Sequence, residues 1–287
     1  MKRSFLLMLV PGLVAISCMA SAQRRFGLEE SDTIRRTLDF SPGNGRKVLE
    51  VDNVNGRIRV TGYDGPTVEM IANTTIRAQS QTSLQMAKQE VKLDITDKAD
   101  TINVYVDQPG HERSTRSSSR SHWTDRGYEV SFDFDIRVPR QAEIHLWTVN
   151  GGSIEIQDVA GDFDVNNING AIEMRNVSGS GRAHTINGPV NVAFAENPKE
   201  DSHFGSLNGD IDATFRADLS ADLRFKTFNG GVYTDFPVAT LPAVPDTLRQ
   251  NGKLVVRNQF SNVRIGKGGP ILEFDGFNGN VRIRQGK

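Results

Sequence analysis

Ile168-Asn169-Gly170-Ala171-Ile172-Glu173-Met174 joins an apolar residue to an Asn-Gly pair and then to a run that alternates apolar and polar side chains. An apolar residue followed by Asn-Gly occurs seven times in the 287-residue chain, and from Asn150 to Asn229 the steps are 19, 18, 21 and 21 residues. A period of about 20 residues is typical of repeat folds, whose units bury their apolar faces by stacking. The repeated asparagines are Asn55, Asn150, Asn169, Asn187, Asn208, Asn229 and Asn278.

The alternation after each Asn-Gly pair predicts a strand with one buried face. Ile172 and Met174 are expected to point inward and Glu173 outward. The same frame predicts further inward pairs and one outward column that runs from unit to unit. The inward pairs are Val190/Val192, Ile211/Ala213, Val232/Thr234 and Val281/Ile283, and the outward column is Arg59, Glu155, Glu173, Asn191, Asp212, Tyr233 and Arg282.

The repeats predict an all-β fold of the β-solenoid (β-helix) type. Asn and Gly both tolerate positive φ, so we expect one tight corner to recur in every coil. Coils stacked about 4.8 Å apart would align the asparagines into a ladder of side-chain hydrogen bonds. The alternative is an antiparallel β-sandwich, because Asn-Gly between alternating strands is also the strongest hairpin signal. The step of 49 residues from Asn229 to Asn278 is enough for an irregular coil and a regular one, and it leaves the register there open.

The chain divides into four segments. Residues 1–22 are a predicted signal peptide, and 23–46 form a polar segment that we expect to be partly disordered. Residues 47–139 form an N-terminal β region with a polar loop at 107–127, and 140–287 carry the solenoid repeats. We expect 47–287 to be one continuous domain. Ser83–Glu90 is rich in helix formers and predicts one short helix, which Ser80 or Ser83 could cap.

The first residues carry the features of an export signal. Lys2 and Arg3 precede an apolar stretch, and Ala20-Ser21-Ala22 is a small-residue cleavage site. The apolar stretch is short for a membrane span, so we expect no transmembrane span in the mature chain. The alternative is a lipoprotein signal, in which Cys18 would be acylated.

Composition limits the possible functions. Cys18 is the only cysteine, so a chain cleaved after Ala22 has neither disulfides nor thiol chemistry. Loss of Lys2 and Arg3 with the signal peptide changes the net charge from −1 to −3. This balance argues against a nucleic-acid partner.

The chain lacks the common catalytic motifs, and paired aspartates are the best remaining candidates. No Gly-x-Ser-x-Gly elbow, zinc-binding His-Glu-x-x-His or phosphate-binding loop is present. Two aspartates separated by one residue share a strand face and could act on a glycosidic bond or bind a cation. The same pattern also fits a solvated strand face. The pairs are Asp133/Asp135, Asp162/Asp164 and Asp210/Asp212.

The histidines and the polar loop offer weaker signals. The five histidines show no metal-ligand spacing, so we predict no metal site and no cofactor. The loop gathers residues that could form a binding tip, although it could also be a spacer. These residues are His111, Arg113, Arg116, Arg120, Trp123 and Arg126.

The order of parts resembles the bacterial putative-adhesin family, a domain of unknown function related to the adhesin-head domains of autotransporter-like proteins. The resemblance rests on Asn-Val-Asn-Gly-Arg-Ile-Arg-Val at 53–60, Ile-Arg-Val-Pro at 136–139 and the serial Thr-Val-Asn-Gly and Thr-Ile-Asn-Gly corners at 148–151 and 185–188. It covers about Val48 to Arg284. It implies a right-handed β-solenoid and an exported, envelope-associated protein, and it supplies no catalytic residues.

Three functions follow as hypotheses. The first is an exported, non-enzymatic scaffold or binding surface in the periplasm, on the outer membrane or outside the cell. The second is a polysaccharide-active β-helix enzyme that uses an aspartate pair. The third is a periplasmic sensor or regulatory partner in envelope stress. A partner could be an envelope glycan, a lipid headgroup or a protein.

The cleavage site gives the first testable prediction. The exported protein should begin at Gln23 and carry no lipid, because Ala20-Ser21-Ala22 follows an apolar stretch that is too short to remain as an anchor. Intact-mass analysis of protein from the native envelope measures this directly. An N-terminal Cys18 with two or three acyl chains would contradict it.

Overall fold

The computed structural model describes residues 26–40, 45–98, 100–111, 126–242, 246–250, 253–257 and 261–286. The predicted signal peptide and most of the polar loop lie outside these residues. The N-terminal elements are β1 (Leu28–Leu38), β2 (Val48–Asp52), β3 (Ile58–Tyr63), β4 (Val68–Ala78), α1 (Gln81–Glu90), β5 (Lys92–Lys98), β6 (Thr101–Asp107) and β7 (Tyr128–Pro139).

The repeats supply the next group of strands, and the C-terminal region supplies the last. The repeat strands are β8 (Glu143–Thr148), β9 (Ile154–Gln157), β10 (Phe163–Asn169), β11 (Ile172–Val177), β12 (Gly181–Asn187), β13 (Val190–Phe194), β14 (Ser202–Asn208), β15 (Ile211–Phe215), β16 (Ala221–Lys226) and β17 (Val232–Thr234). They are followed by β18 (Val238–Thr240), β19 (Asp246–Gln250), β20 (Lys253–Arg257), β21 (Ser261–Ile265), β22 (Ile271–Asn278) and β23 (Val281–Gln285).

The fold is all-β, with two large mixed sheets and one short helix. Sheet A has ten strands in the order β1-β4-β7-β3-β9-β11-β13-β15-β23-β17. Sheet B has eleven, in the order β18-β21-β16-β22-β14-β12-β10-β8-β2-β6-β5. The inward side chains of both sheets form one apolar core. The hairpin β19–β20 forms a separate two-stranded sheet.

From β8 to β15 the chain alternates between the two sheets, and each strand from β8 to β13 pairs in parallel with the strand two places later. β10, for example, pairs with β8 and β12 in sheet B, while β11 pairs with β9 and β13 in sheet A. We call one sheet B strand and the following sheet A strand a coil. Parallel pairing between coils is incompatible with hairpins at the Asn-Gly corners and is compatible with the predicted β-helix.

The predicted frame agrees with the observed register. Ile172, Met174, Val190 and Val192 are buried, and so are the inward pairs of β15 and β23. The outward column aligns across sheet A, with Arg282 placed between Asp212 and Tyr233. Val232 follows the same register but remains exposed.

The corners are held by an outer ladder of asparagine side chains. Asn169 donates from Nδ2 to Oδ1 of Asn150 at 2.8 Å, and Asn187 donates to Asn169 at 2.8 Å. The ladder continues with Asn208, Asn278 and Asn229, each donating to the preceding rung at 2.8–2.9 Å. Asn55 instead donates to the Val130 carbonyl at 3.0 Å.

An inner ladder, which was not predicted from the sequence, runs two residues before most of the asparagines. Thr185 is buried, and its hydroxyl donates to the Gly170 carbonyl at 2.9 Å. Ser206 donates in the same way to Gly188 at 2.8 Å. Thr148 and Asn167 occupy the equivalent positions in their coils and donate to the carbonyls of Gly56 and Gly152. The sequence signal is a Ser, Thr or Asn at the second position before most Asn-Gly pairs.

The expectation that the corner asparagines have positive φ is wrong. Among the described residues other than glycine, only Asp158 and Asn176 have positive φ. Glycine is required for a different reason, which is the close approach of successive corners. A Cβ added to Gly209, whose φ lies outside the left-handed region, would lie 2.1 Å from the Gly188 carbonyl oxygen.

The spatial order of coils differs from the sequence order at both ends of the stack. The coil β2–β3 lies between β8–β9 and β6–β7, so the first coil in sequence is internal. The last coil, β22–β23, lies between β14–β15 and β16–β17. Asn278 therefore has a neighbour on both sides, although it belongs to the last Asn-Gly pair in the sequence.

Two further expectations need correction. The segment 23–46, expected to be partly disordered, contains β1, which pairs with β4 along its full length. β1 escaped prediction because it is an edge strand with charged residues on both faces, which hide the alternation. The stretch between Asn229 and Asn278 is not an irregular coil followed by a regular one. It forms antiparallel strands before the last coil inserts between two earlier coils.

The corner geometry predicts a large effect of a small substitution. Gly209→Ala should lower the free energy of unfolding by about 1–3 kcal/mol, because two backbones must separate to admit the methyl group. Denaturant-induced unfolding measures the change. Gly27→Ala is the control, since an added Cβ there meets no atom within 4 Å. Equal stabilities of the two variants would contradict the close-contact explanation.

Candidate binding surface

The outward face of sheet B carries a row of apolar side chains, half of them exposed and half partly buried, immediately before the asparagine ladder. The parallel registers place these residues side by side, one in each coil. Their side chains lie on the face opposite the core, because buried residues alternate with them along each strand. We call this row the apolar ridge, and it consists of Val149, Ile168, Ile186, Leu207, Phe277 and Phe228.

The ridge becomes larger and more exposed toward the last coils. Leu207 is 43% exposed, Phe277 is 44% exposed and Phe228 is 74% exposed. The two phenyl rings stack with centroids 5.0 Å apart and an angle of 4° between their planes. Each ring therefore covers one face of the other, and the ring edges form the most exposed part of the ridge.

The rest of this face is polar, with one further aromatic residue. Trp147 is exposed on β8 and lies beside Asn166 of the next coil. The His184 ring leans over Gly205, where a Cβ would come within 2.5 Å of its Cδ2 atom. Burial, followed by the nearby positive charge of Arg182, lowers the pKa of His184. The ridge thus borders a surface of amides, imidazoles and charges.

Two aspartate pairs lie on the outward face of sheet A, and their carboxylates are bound by neighbouring groups. Asp133 accepts the Arg57 backbone N–H at 2.9 Å, and Asp135 lies 3.4–3.5 Å from the guanidinium groups of Arg57 and Arg59. Four strands (β3, β9, β11 and β13) separate this pair from the pair on β15. The two pairs therefore do not converge on one groove.

The pair before and within β15 is held by two arginines of the last coil. Asp210 accepts the Asn280 backbone N–H at 2.8 Å and Arg282 Nη1 at 2.6 Å. The Asn280 N–H, followed by Arg282, lowers the pKa of Asp210. Asp212 accepts two hydrogen bonds from Arg284, at 2.6 and 2.7 Å. A lowered pKa is the opposite of what a general acid needs.

The third pair belongs to sheet B. Asp162 accepts from Arg46 at 2.6 Å and from the Ser180 backbone N–H at 3.0 Å. Asp164 is exposed and accepts from Asn166 at 2.7 Å. The sequence thus placed each pair on a single strand face, but the structure disperses the pairs over both sheets.

Two residues of the predicted binding loop lie within the described ranges. His111 Nε2 lies 3.0 Å from the Asp52 carboxylate, and its ring stacks on Tyr105. Arg126 binds Glu90 at 2.7 Å. The other four predicted residues, Arg113, Arg116, Arg120 and Trp123, lie outside the described residues.

Two concave regions on the described surface are lined by none of the three predicted aspartate pairs. A depression of about 40 Å³ beside Arg59, Glu155 and Glu173 has room for little more than one water molecule. An open groove of about 710 Å³ at the corner near Tyr63 and Pro139 has Asp64 as its lining carboxylate, and Arg140 binds that carboxylate at 2.8 Å. Within the described ranges, no group of three His, Asp or Glu side chains could hold a metal ion. The helices of those ranges include none that could span a bilayer.

Comparison with known proteins gives structural similarities only. No protein-family model and no curated protein matches the chain. It is similar to a putative cell adhesion protein from Clostridium sporogenes, with 11% identity, 90% of this chain and 100% of that chain covered and a TM-score of 0.43. For a putative adhesin from Bacteroides fragilis the identity is 9%, the coverage 88% and 97% and the TM-score 0.27. For a putative adhesin from Parabacteroides distasonis these values are 10%, 91% and 98%, and 0.23.

The hydrogen bonds of Asp210 predict how its ionisation responds to mutation. Arg282→Gln should raise the pKa of Asp210 toward its ordinary value of 3.8 without reaching it, because the Asn280 N–H remains in place. An NMR titration of the side-chain carboxyl carbon measures both values. Arg216→Gln is the control, because the Arg216 guanidinium donates to the backbone carbonyl of Ala195 rather than to the Asp210 carboxylate. A wild-type Asp210 pKa above 3.8 would contradict this assignment.

Proposed function

We propose that this protein is an exported, non-enzymatic binding scaffold of the adhesin type, and that its partner lies along the apolar ridge. The observation that carries the proposal is the alignment of six apolar outward residues beside the asparagine ladder. The fold does not need apolar residues at outward positions of sheet B, since another outward row of the same strands consists of Asp164, Arg182 and His203. A contiguous apolar row on an outward face, with Leu207, Phe277 and Phe228 exposed, is typical of an interaction site.

The dimensions of the ridge favour an elongated partner. Six rungs at the spacing of β-strands extend about 24 Å along the stack. Each interior asparagine of the ladder uses one N–H and one oxygen lone pair on its neighbours, which leaves a second N–H and a second lone pair for a ligand. The surface therefore offers apolar contact and hydrogen bonding in parallel rows, which fits an extended glycan or peptide of the cell envelope.

The aspartates give no comparable support to a polysaccharide-active enzyme. Catalysis on a glycosidic bond needs two carboxyl groups facing one substrate position, with the pKa of the general acid raised. Asp210 and Asp212 are bound by arginines, and the pKa of Asp210 is lowered. Nothing in the described residues favours the sensor hypothesis over the scaffold.

The finer features of the proposal come from the sequence. A right-handed coil direction and a place in the envelope follow from the resemblance to the putative-adhesin family, and export follows from the predicted signal peptide. The parallel pairing of β8 to β15 supports the solenoid. A rigid stack of this kind suits a scaffold, because its outward rows keep a fixed spacing.

The test replaces two apolar side chains of the ridge and leaves the core unchanged. The double variant Leu207→Ser/Phe277→Ser should bind isolated envelope from the producing bacterium at least about tenfold more weakly, because two central contacts are lost. Pull-down with quantified bound protein measures the change. Digestion of the envelope with glycosidase or protease in parallel arms identifies which kind of polymer is bound.

The matched control is Ile71→Ser, which removes a similarly exposed apolar residue from the outward face of sheet A. It should bind like the wild type. All variants should keep the wild-type melting temperature within about 3 °C, since the altered side chains lie outside the core. Unchanged binding by the double variant would refute the ridge as the contact surface, and hydrolysis of envelope polysaccharide by the purified protein would refute a non-enzymatic role.

A further inference from the structure

The two ends of the coil stack differ in how they close the core. At the N-terminal end, α1 covers the core with the buried Leu84 and Ala87. The edge strand of sheet A at that end, β1, carries five charged residues, and charges on an edge discourage pairing with another strand. These residues are Glu29, Glu30, Asp32, Arg35 and Arg36.

At the other end the core formed by the described residues is open. Val232 points inward in the register of Val281, yet it is 38% exposed, whereas Val281 is fully buried. Sheet A ends at β17, a strand of Val-Tyr-Thr with no charged residue. β17 pairs only with β23, so its second edge presents unpaired backbone groups within the described part of the chain.

Sheet B extends two strands beyond this point. β21 pairs with β16 and β18 pairs with β21, so both lie past the coil β16–β17. Val238 is paired with the buried Ile265 and therefore shares its inward face, yet Val238 is 44% exposed. The overhang thus presents an inward apolar face that sheet A does not cover. Beside β17 this leaves a slot two strands wide.

We infer that this open end binds a second copy of the chain and forms a two-fold symmetric dimer. A two-fold axis parallel to the strands would bring the overhang of one copy into the slot of the other. β18 of the second copy would then lie beside β17, and the inward faces of the two overhangs would pack together. Both sheets would continue across the junction without a gap.

The strand directions agree with this arrangement. β16 and β21 are antiparallel, and β21 and β18 are antiparallel, so β18 runs in the direction of β16. The chain reverses between the two sheets of a coil, since Phe163 at the start of a sheet B strand packs against Phe194 at the end of a sheet A strand. β17 therefore runs opposite to β16. A two-fold axis parallel to the strands preserves their direction. β18 of the second copy would therefore meet β17 as an antiparallel pair, which is the more stable type of pairing.

The available area is sufficient for a small specific interface. The end face measures about 17 Å along the strands and about 25 Å across the two sheets. Together with the side of a step two strands deep, it offers a contact area of about 600 Å² per copy. The total of about 1,200 Å² is the lower limit for stable protein–protein interfaces. A single strand from another protein would fill only half of the slot, whereas the overhang of a second copy has the required width. The charged β1 edge disfavours a head-to-tail contact.

Light scattering after size exclusion tests the proposal on the full-length expressed protein after export. We expect a mass of two chains at about 100 µM, falling toward one chain on dilution. Val238→Lys should weaken association at least about tenfold, because it would bury an unpaired charge in the dimer. Leu28→Lys is the matched control, because Leu28 has similar exposure on the opposite edge of sheet A. It should associate like the wild type.

Hydrogen exchange of the wild type gives a second measurement that needs no variant. Amides of β17 and β18 should exchange more slowly at high protein concentration, while those of β1 should not change with concentration. A one-chain mass at every concentration would overturn the proposal, and so would association that survives Val238→Lys or is lost in Leu28→Lys. If Val238→Lys fails to fold, concentration-independent exchange in β17 and β18 overturns it as well.

Discussion

The close stacking of glycine backbones at the Asn-Gly corners is the constraint on which the rest of the structure depends. A Cβ at Gly170, Gly188 or Gly209 would come within 2.4 Å of the carbonyl oxygen of the preceding corner. With no side chain there, successive corners approach each other closely. The asparagine amides can then hydrogen-bond to one another on the outer side of the corner, and hydroxyl groups can donate to glycine carbonyls on the inner side. The corners thereby fix the register, and the register decides which residues face the core.

Hydrogen bonding at the corners also allows coils to stack out of sequence order. The ladder of Asn208, Asn278 and Asn229 accepts the last coil between two earlier ones, because each rung has the same geometry whatever its position in the chain. The first coil is enclosed in the same way. Neither the first nor the last coil in sequence is thus terminal in space. Fraying from the C-terminal side would require β23 to leave both β15 and β17, which costs more than peeling an edge strand.

The sequence predicted the features that repeat and missed those that occur once. The Asn-Gly period and the alternation at Ile172 and Met174 were enough to predict the strand frame and the outward column, because stacking imposes the same environment on each unit. The order of the terminal coils could not be predicted, since identical corners permit several orders. The ridge was missed because its residues precede the corner and read as the apolar half of the turn signal. For the aspartates, the sequence predicted a shared face but not the arginines that hold them, which come from other coils.

Exposure of apolar residues has different meanings at the two candidate surfaces of this protein. On the ridge, Leu207 and Phe277 lie outside the core. Their exposure does not lower the stability of the fold, because no other register would gain stability by burying them. At the open end, Val232 and Val238 point toward the core and are exposed because no described strand of the facing sheet covers them. A partner on the ridge would add to a finished surface, whereas a partner at the open end would complete the core. Only the second contact is expected to stabilise the fold itself, because it removes inward apolar area from water.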